Sequence, residues 1–134
     1  LVGSSEFIAR SRHIRKMLGG GMRQVGVIAA AGIISLEKMT SRLGQDHERA
    51  KKLADGLRGI SGIIVDEGSP QTNMIYFNLA DHVQDDAQQV TEKMKGYGIL
   101  LDADSGRRFR LVTHYWIDAE AVAKVVYAFD RVLN

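Results

Sequence analysis

Apolar residues recur along this chain first at helical spacing and then largely in alternation, and the change of period divides it. Phe7, Ile14 and Leu18 share one helical face after Ser4 or Ser5, either of which can cap the helix, and Gly19 ends it. Leu1-Val2-Gly3 reads as the tail of a buried strand. Val25, Ile28, Ala29, Gly32, Ile33 and Leu36 predict a second helix over about 23–39, with small residues allowing close packing and burial on most sides. A third helix, capped by Thr40 or Ser41 and ending near Gly59, turns Leu43, Ala50, Leu53, Ala54 and Leu57 inward. Its Asp46, Glu48, Arg49 and Lys51 are expected to face water.

From residue 61 the period shortens. Ile63–Val65 and Met74–Leu79 read as strands around the turn signal Gly68-Ser69-Pro70. Ala87, Val90, Met94 and Tyr97 lie in helical register, 99–101 and 108–114 read as strands, and Asp118 caps a last helix bearing Val122, Val125, Val126, Phe129 and Leu133. The order β-β-α-β-β-α describes a small α+β lobe with helices on one face of a largely antiparallel sheet. The expected division is residues 1–60, a strand end and helices belonging to a larger domain, and residues 61–134, a small C-terminal α+β domain. The chain opens on Leu1 rather than methionine and is expected to be a piece of a longer protein.

Composition narrows the class. The chain has 134 residues, 45% of them hydrophobic and 25% charged, which suits one soluble globular domain with a real core. Eighteen Lys and Arg against sixteen Asp and Glu, interleaved along most of the chain, argue against a nucleic-acid footprint. Cysteine is absent from the sequence, which removes disulfides, thiolate nucleophiles and thiolate metal sites. The longest apolar stretch, 25–36, is shorter than the roughly twenty residues a membrane span needs and is broken by Gly26, Gly32 and Ser35, so no membrane association is expected. A cytoplasmic location is the expectation.

Two places carry candidate chemistry. In Arg15-Lys16-Met17-Leu18-Gly19-Gly20-Gly21-Met22-Arg23, three glycines lie between cations at a helix-to-helix junction. Glycine amides can converge on one anion beside a helix N-terminus, with Lys16 and Arg23 flanking it. Equally, three glycines can simply let two helices pass closely while the cations stay solvated. In 108–114 the alternation sets Phe109, Leu111 and Thr113 on one face and Arg108, Arg110, Val112 and His114 on the other. A guanidinium on a rigid strand suits two parallel bonds to a carboxylate, although such an arginine is more often a surface or interface ion-pair residue. His114 reads more readily as a structural or interface histidine than as a proton-transfer group. His13, His47 and His82 have no motif context, and Asp85-Asp86 and Asp102 with Asp104 read as helix-start and turn residues rather than as a metal site.

RKMLGGGMRQ followed by VGVIAAAGIISLEKM, LVGSSEFIARSRHIRKM at the start, SPQTNMIYF in the middle and RFRLVTHYWID near the end together resemble the C-terminal part of low-specificity L-threonine aldolases, over essentially the whole chain. The resemblance implies an α/β fold of the fold-type I pyridoxal-phosphate transferase kind, represented by the end of the large domain and the small C-terminal domain. It implies pyridoxal 5'-phosphate as cofactor and retro-aldol cleavage of threonine or allo-threonine to glycine and acetaldehyde. Within it, Arg110 falls on the arginine that opens the RLVTH motif and holds the substrate α-carboxylate. Lys16 and Arg23 fall on basic positions near the cofactor phosphate, reaching a neighbouring subunit's site in a homotetramer.

In that family the lysine that carries the cofactor lies in a Ser-Lys-Gly-Leu-Gly type segment upstream of the matched part, and this sequence has no such segment. Most of its own lysines lie on charged helix faces, where a protonated ammonium is a poor nucleophile. The 134 residues alone are therefore expected to be inactive, with no catalytic residue and no metal among them. A non-catalytic ligand-binding or assembly module, and a β-eliminating lyase of the same fold group, are the other readings.

Overall fold

A computed structural model describes the backbone of residues 1–134 and every side chain except those of Asp104 and Ser105, so the Asp104 half of the Asp102 and Asp104 pair lies outside the described residues. The chain forms two compact units, Leu1–Thr40 and Ser41–Asn134.

In the first unit, helix α1 spans Ser5–Met17. Ser4 caps it, its hydroxyl accepting the Phe7 amide at 3.3 Å. The expected strand tail at Leu1-Val2-Gly3 does not form; Leu1 and Val2 stand exposed, without a neighbouring strand to pair with. Helix α2 spans Gly26–Ile34, three residues later than the periodicity suggests, because 23–25 forms a turn and Gln24 takes a positive φ of 51°. Ser35–Met39 continues as a π-helical turn and Thr40–Arg42 as a 3-10 turn. The expected burial of this helix is not found: no α2 residue is buried, and Val27 is 84% exposed. Apolar periodicity marks a face that packs without naming its cover, and these forty residues supply none.

In the second unit, α3 spans Leu43–Arg58. Neither Thr40 nor Ser41 caps it. The Thr40 hydroxyl donates backward to the Leu36 carbonyl at 3.1 Å, and Arg42 occupies the cap position without a side-chain bond. Strands β1 (Ile63–Val65), β2 (Met74–Leu79), β3 (Ala103–Ser105) and β4 (Arg108–Val112) form an antiparallel sheet in the order β1-β2-β4-β3. The strand expected at 99–101 starts later. α4 (Ala87–Lys95) ends with the Ile99 amide donating back to the Met94 carbonyl at 3.2 Å and Gly98 at φ +68°, so 99 serves the helix end instead of a ladder. Asp86 opens α4 with a full capping box against Gln89, and Asp118 caps α5 (Ala119–Leu133) through the Ala121 amide at 2.8 Å.

The helices α3, α4 and α5 cover one face of the sheet, as alternation in the strands requires. Phe77, Phe109 and Phe129 meet at its centre, Phe77 stacked on Phe109 at 5.1 Å and both meeting Phe129 edge-on at 5.4 and 5.9 Å. Helix α3, which periodicity grouped with the first sixty residues, packs on α5 and β1 within this unit. Gly56 makes its contact with α5 possible: a Cβ there would stand 2.6 Å from Val126 Cγ2.

Candidate functional site: an unpaired arginine on an interior strand

β4 lies between β2 and β3; β2 pairs with it from Arg108 to Val112, and β3 with Arg108 and Phe109. Its core face buries Phe109, Leu111 and, just beyond the strand, Thr113, while Arg110 and Val112 emerge on the face that no helix covers. The predicted alternation holds. Arg110 stands opposite Tyr76 in the β2–β4 ladder. Two residues earlier, Arg108 Nη2 reaches Asp66 Oδ2 at 2.6 Å, its guanidinium lies 5.4 Å from the centre of the Tyr76 ring, and Asp66 also accepts from Asn78 Nδ2 at 3.2 Å. Arg110 has no ion-pair or hydrogen-bond partner among the described residues. A guanidinium placed by a rigid strand and left with all its donors unused can grip a carboxylate through two parallel charge-assisted bonds.

Beside it lies a cleft of about 420 Å³ bordered by Arg110, Val112 and His114 from β4 and the residues after it, by Leu101 and Asp102 from the approach to β3, and by Lys124 from α5. His114 Nδ1 accepts the Trp116 amide at 3.3 Å.

Lys16 and Arg23 lie in the other unit, on either side of the glycine run. There the Leu18 amide donates to Ile14 at 3.0 Å, Gly19 to Lys16 at 3.2 Å and Gly20 to Arg15 at 2.8 Å, so two of the three glycine amides are spent on the end of α1. Gly19 takes φ +78°, and a Cβ on Gly21 would stand 2.7 Å from Lys16 Cδ. The glycines thus end the helix and let the chain fold closely over Arg15 and Lys16. Helix α2 does not begin until Gly26, so its N-terminus does not adjoin the glycines. What remains for an anion is charge: Arg10, Arg12, Arg15, Lys16, Arg23 and Lys38 stand against only Glu6 and Glu37 in residues 1–40, an imbalance that whole-chain composition conceals. No side chain of Lys16 or Arg23 is in an ion pair among the described residues.

Sequence reasoning missed the burial of Asp46, which was expected in water. It is 4% exposed, bonded by Arg42 Nη1 and Nη2 at 3.0 and 2.8 Å and approached by Arg49 at 3.8 Å. The Arg42, Asp46, Arg49 spacing, cations four before and three after an acid, was the signal for it. Asp86 acts as a cap, and Asp85 pairs with Lys93. No group of three or more metal-binding side chains forms among the described residues, and no described helix is long and apolar enough to cross a membrane.

Comparison with known proteins adds ancestry to this geometry. The family model described as Beta-eliminating lyase matches residues 1–80. The chain is 36% identical over 133 residues to Low-specificity L-threonine aldolase 1 of Arabidopsis thaliana, covering 99% of this chain and 37% of that protein. It is 37% identical over 125 residues to the Low specificity L-threonine aldolase of Escherichia coli K12, covering 93% and 35%. The chain therefore spans little more than a third of the length of these relatives. Among solved structures it resembles a C-DES mutant with glycine covalently linked to the PLP cofactor (TM-score 0.60, 70% of this chain, 24% of that one). It also resembles the cystine C-S lyase C-DES in complex with cysteine persulfide (TM-score 0.63, 81% and 28%). Both are 18% identical to it and show the fold, which is that of fold-type I enzymes.

Proposed function

We propose a function from one premise: the chain belongs to the Beta-eliminating lyase family, and it acts as the C-terminal portion of a pyridoxal-phosphate-dependent carbon–carbon lyase. In the intact protein the reaction we assign is cleavage of L-threonine or L-allo-threonine to glycine and acetaldehyde; relatives 36% and 37% identical to this chain are named as low-specificity L-threonine aldolases, which supports it. The observation that supports it most is Arg110, a guanidinium on an interior strand with its donors unused among the described residues.

The cofactor, when bound, supplies the electron sink for a bond broken at Cα. This chain supplies geometry. Arg110 holds the amino acid by its carboxylate, and a two-point grip on that group fixes which Cα bond is presented for cleavage. Lys16 and Arg23 fit the cofactor's phosphate by charge, from a unit with six cations against two acids, and we assign them to a site shared with a neighbouring subunit of a homo-oligomer. The lysine that carries the cofactor belongs to another part of the polypeptide, and residues 1–134 by themselves are inactive. In this reading the early helices complete a large cofactor-binding domain, residues 61–134 form the small domain, and the enzyme works in the cytoplasm.

The test uses the product of the full gene. A visible Schiff-base absorbance band together with acetaldehyde release from threonine supports the lyase, provided Arg110→Ala abolishes most of that release. A second reading, a ligand-binding or assembly module, is favoured by the compactness of Ser41–Asn134, which has its own core. A colourless protein that still binds a carboxylate would establish it. Ammonia and a keto acid in place of acetaldehyde would mark a β-eliminating lyase instead.

A further inference from the structure

A buried hydroxyl stands on the face of the strand opposite Arg110. Thr113 follows it by three residues on the core face and is fully buried, at 0% exposure. Valine would fill the same space, so a hydroxyl here has to be bonded. Thr113 Oγ1 donates to the Asp46 carbonyl at 2.7 Å and lies 3.4 Å from the Asn73 carbonyl. The acceptor lies 67 residues away in sequence, in the first turn of α3. It is itself held still, because the Asp46 carboxylate is gripped by both Arg42 nitrogens and Arg42 packs 4.8 Å from the Tyr115 ring centre. From the other side Asn73 takes both main-chain groups of Thr113, accepting its amide at 2.9 Å and donating Nδ2 to its carbonyl at 2.8 Å.

We propose that Thr113 is a positioning residue for Arg110: it ties the end of β4 to the first turn of α3, so that the unpaired guanidinium stands where a substrate carboxylate must be met. The inference rests on the carboxylate role given to Arg110 above. Since no described residue holds the Arg110 side chain, its placement depends on its backbone, and the clamp around Thr113 fixes that backbone where β4 ends. Orientation by two parallel bonds tolerates displacements of only a few tenths of an ångström, so a loosened clamp weakens substrate capture before it unfolds anything.

The experiment is a double-mutant cycle in the full-length holoenzyme. Thr113→Val is expected to lower kcat/KM for threonine about ten-fold, mainly through KM, and Thr113→Ser to restore it to within about two-fold. In an Arg110→Ala background, Thr113→Val is expected to cost nothing further, because the guanidinium it positions is gone. If Thr113→Val does not accumulate as folded protein, Asn73→Ala loosens the same clamp from its half-buried side and takes its place in the cycle. Wild-type kcat/KM in the single variant, or an undiminished ten-fold loss on top of Arg110→Ala, overturns the positioning role. Should Arg110→Ala alone leave kcat/KM unchanged, the carboxylate reading fails first and this inference with it.

Discussion

Arg108 and Arg110 share one face of β4, yet only Arg108 is held, by Asp66 at 2.6 Å and beside the Tyr76 ring. The two guanidiniums are chemically identical, so the difference in their surroundings separates a structural charge from one available to a ligand.

The first prediction follows from that difference. In the full-length enzyme Arg110→Ala is expected to lower kcat/KM for threonine about 100-fold, or about 2.7 kcal/mol, the scale of a lost bidentate charge-assisted contact. Thermal unfolding is expected to move little, since an exposed side chain without partners contributes within about 0.5 kcal/mol. Arg108→Ala is expected to do the reverse, leaving kcat/KM within about two-fold and costing at most about 1 kcal/mol, as half-exposed ion pairs do. Steady-state kinetics and denaturant melts on the two variants check both statements.

The second prediction concerns the aromatic centre of the lobe. Phe77 and Phe109 are both fully buried, stacked at 5.1 Å, and closed on the third side by Phe129. Phe109→Ala removes two ring contacts at once and is expected to destabilise the unit by about 3–5 kcal/mol. Phe109→Leu keeps most of the volume and is expected to cost less than half of that. Urea unfolding of both variants gives the comparison.

Much of this architecture was legible in the residues. Alternation in β2 and β4 gave the strands and their buried faces, because each has one wet side and one dry one. Asp86 and Asp118 announced their helices because a cap acts on amides two or three residues away. What escaped was which nearby partner each polar group takes once the fold is formed. Asp46 sits in a charged helical run and looks solvated until Arg42 and Arg49 close on its carboxylate; Ile99 looks like a strand until its amide is taken by α4; Thr40 looks like a cap until its hydroxyl turns back to Leu36. For the site, RLVTH pointed to Arg110, but its lack of a partner is a property of the fold. At the glycine run, spacing cannot tell amides that await an anion from amides bonded to α1, as those of Gly19 and Gly20 are.

A third prediction tests one cap. Asp86 accepts the Gln89 amide at 2.8 Å while its own amide donates to Gln89 Oε1 at 2.9 Å. Asp86→Ala is expected to cost about 1 kcal/mol, and Asp86→Asn or Asp86→Ser only a fraction of that, because either replacement still offers an oxygen to the first turn. Catalytic constants are expected to stay unchanged, which chemical denaturation run alongside kinetics will show.

The last prediction decides what the glycine junction is for. Gly19 and Gly20 use their amides on α1, so an anion there has to be bound by Lys16 and Arg23 through charge rather than by a backbone cradle. Lys16→Ala and Arg23→Ala in the full-length protein are each expected to weaken pyridoxal-phosphate binding about ten-fold, roughly 1.4 kcal/mol, the value of one charged hydrogen bond to phosphate. Because that attraction is electrostatic and exposed, raising ionic strength is expected to shrink the difference between wild type and variants. Gly20→Ala tests the other side of the junction: a Cβ there would stand 3.0 Å from the Arg15 carbonyl oxygen, so the change is expected to loosen the end of α1 and lower stability without altering the salt dependence. Cofactor titrations followed by absorbance, at low and high salt, separate the two effects. Unchanged affinity in both cation variants would leave the junction with the single task of ending a helix and reversing the chain.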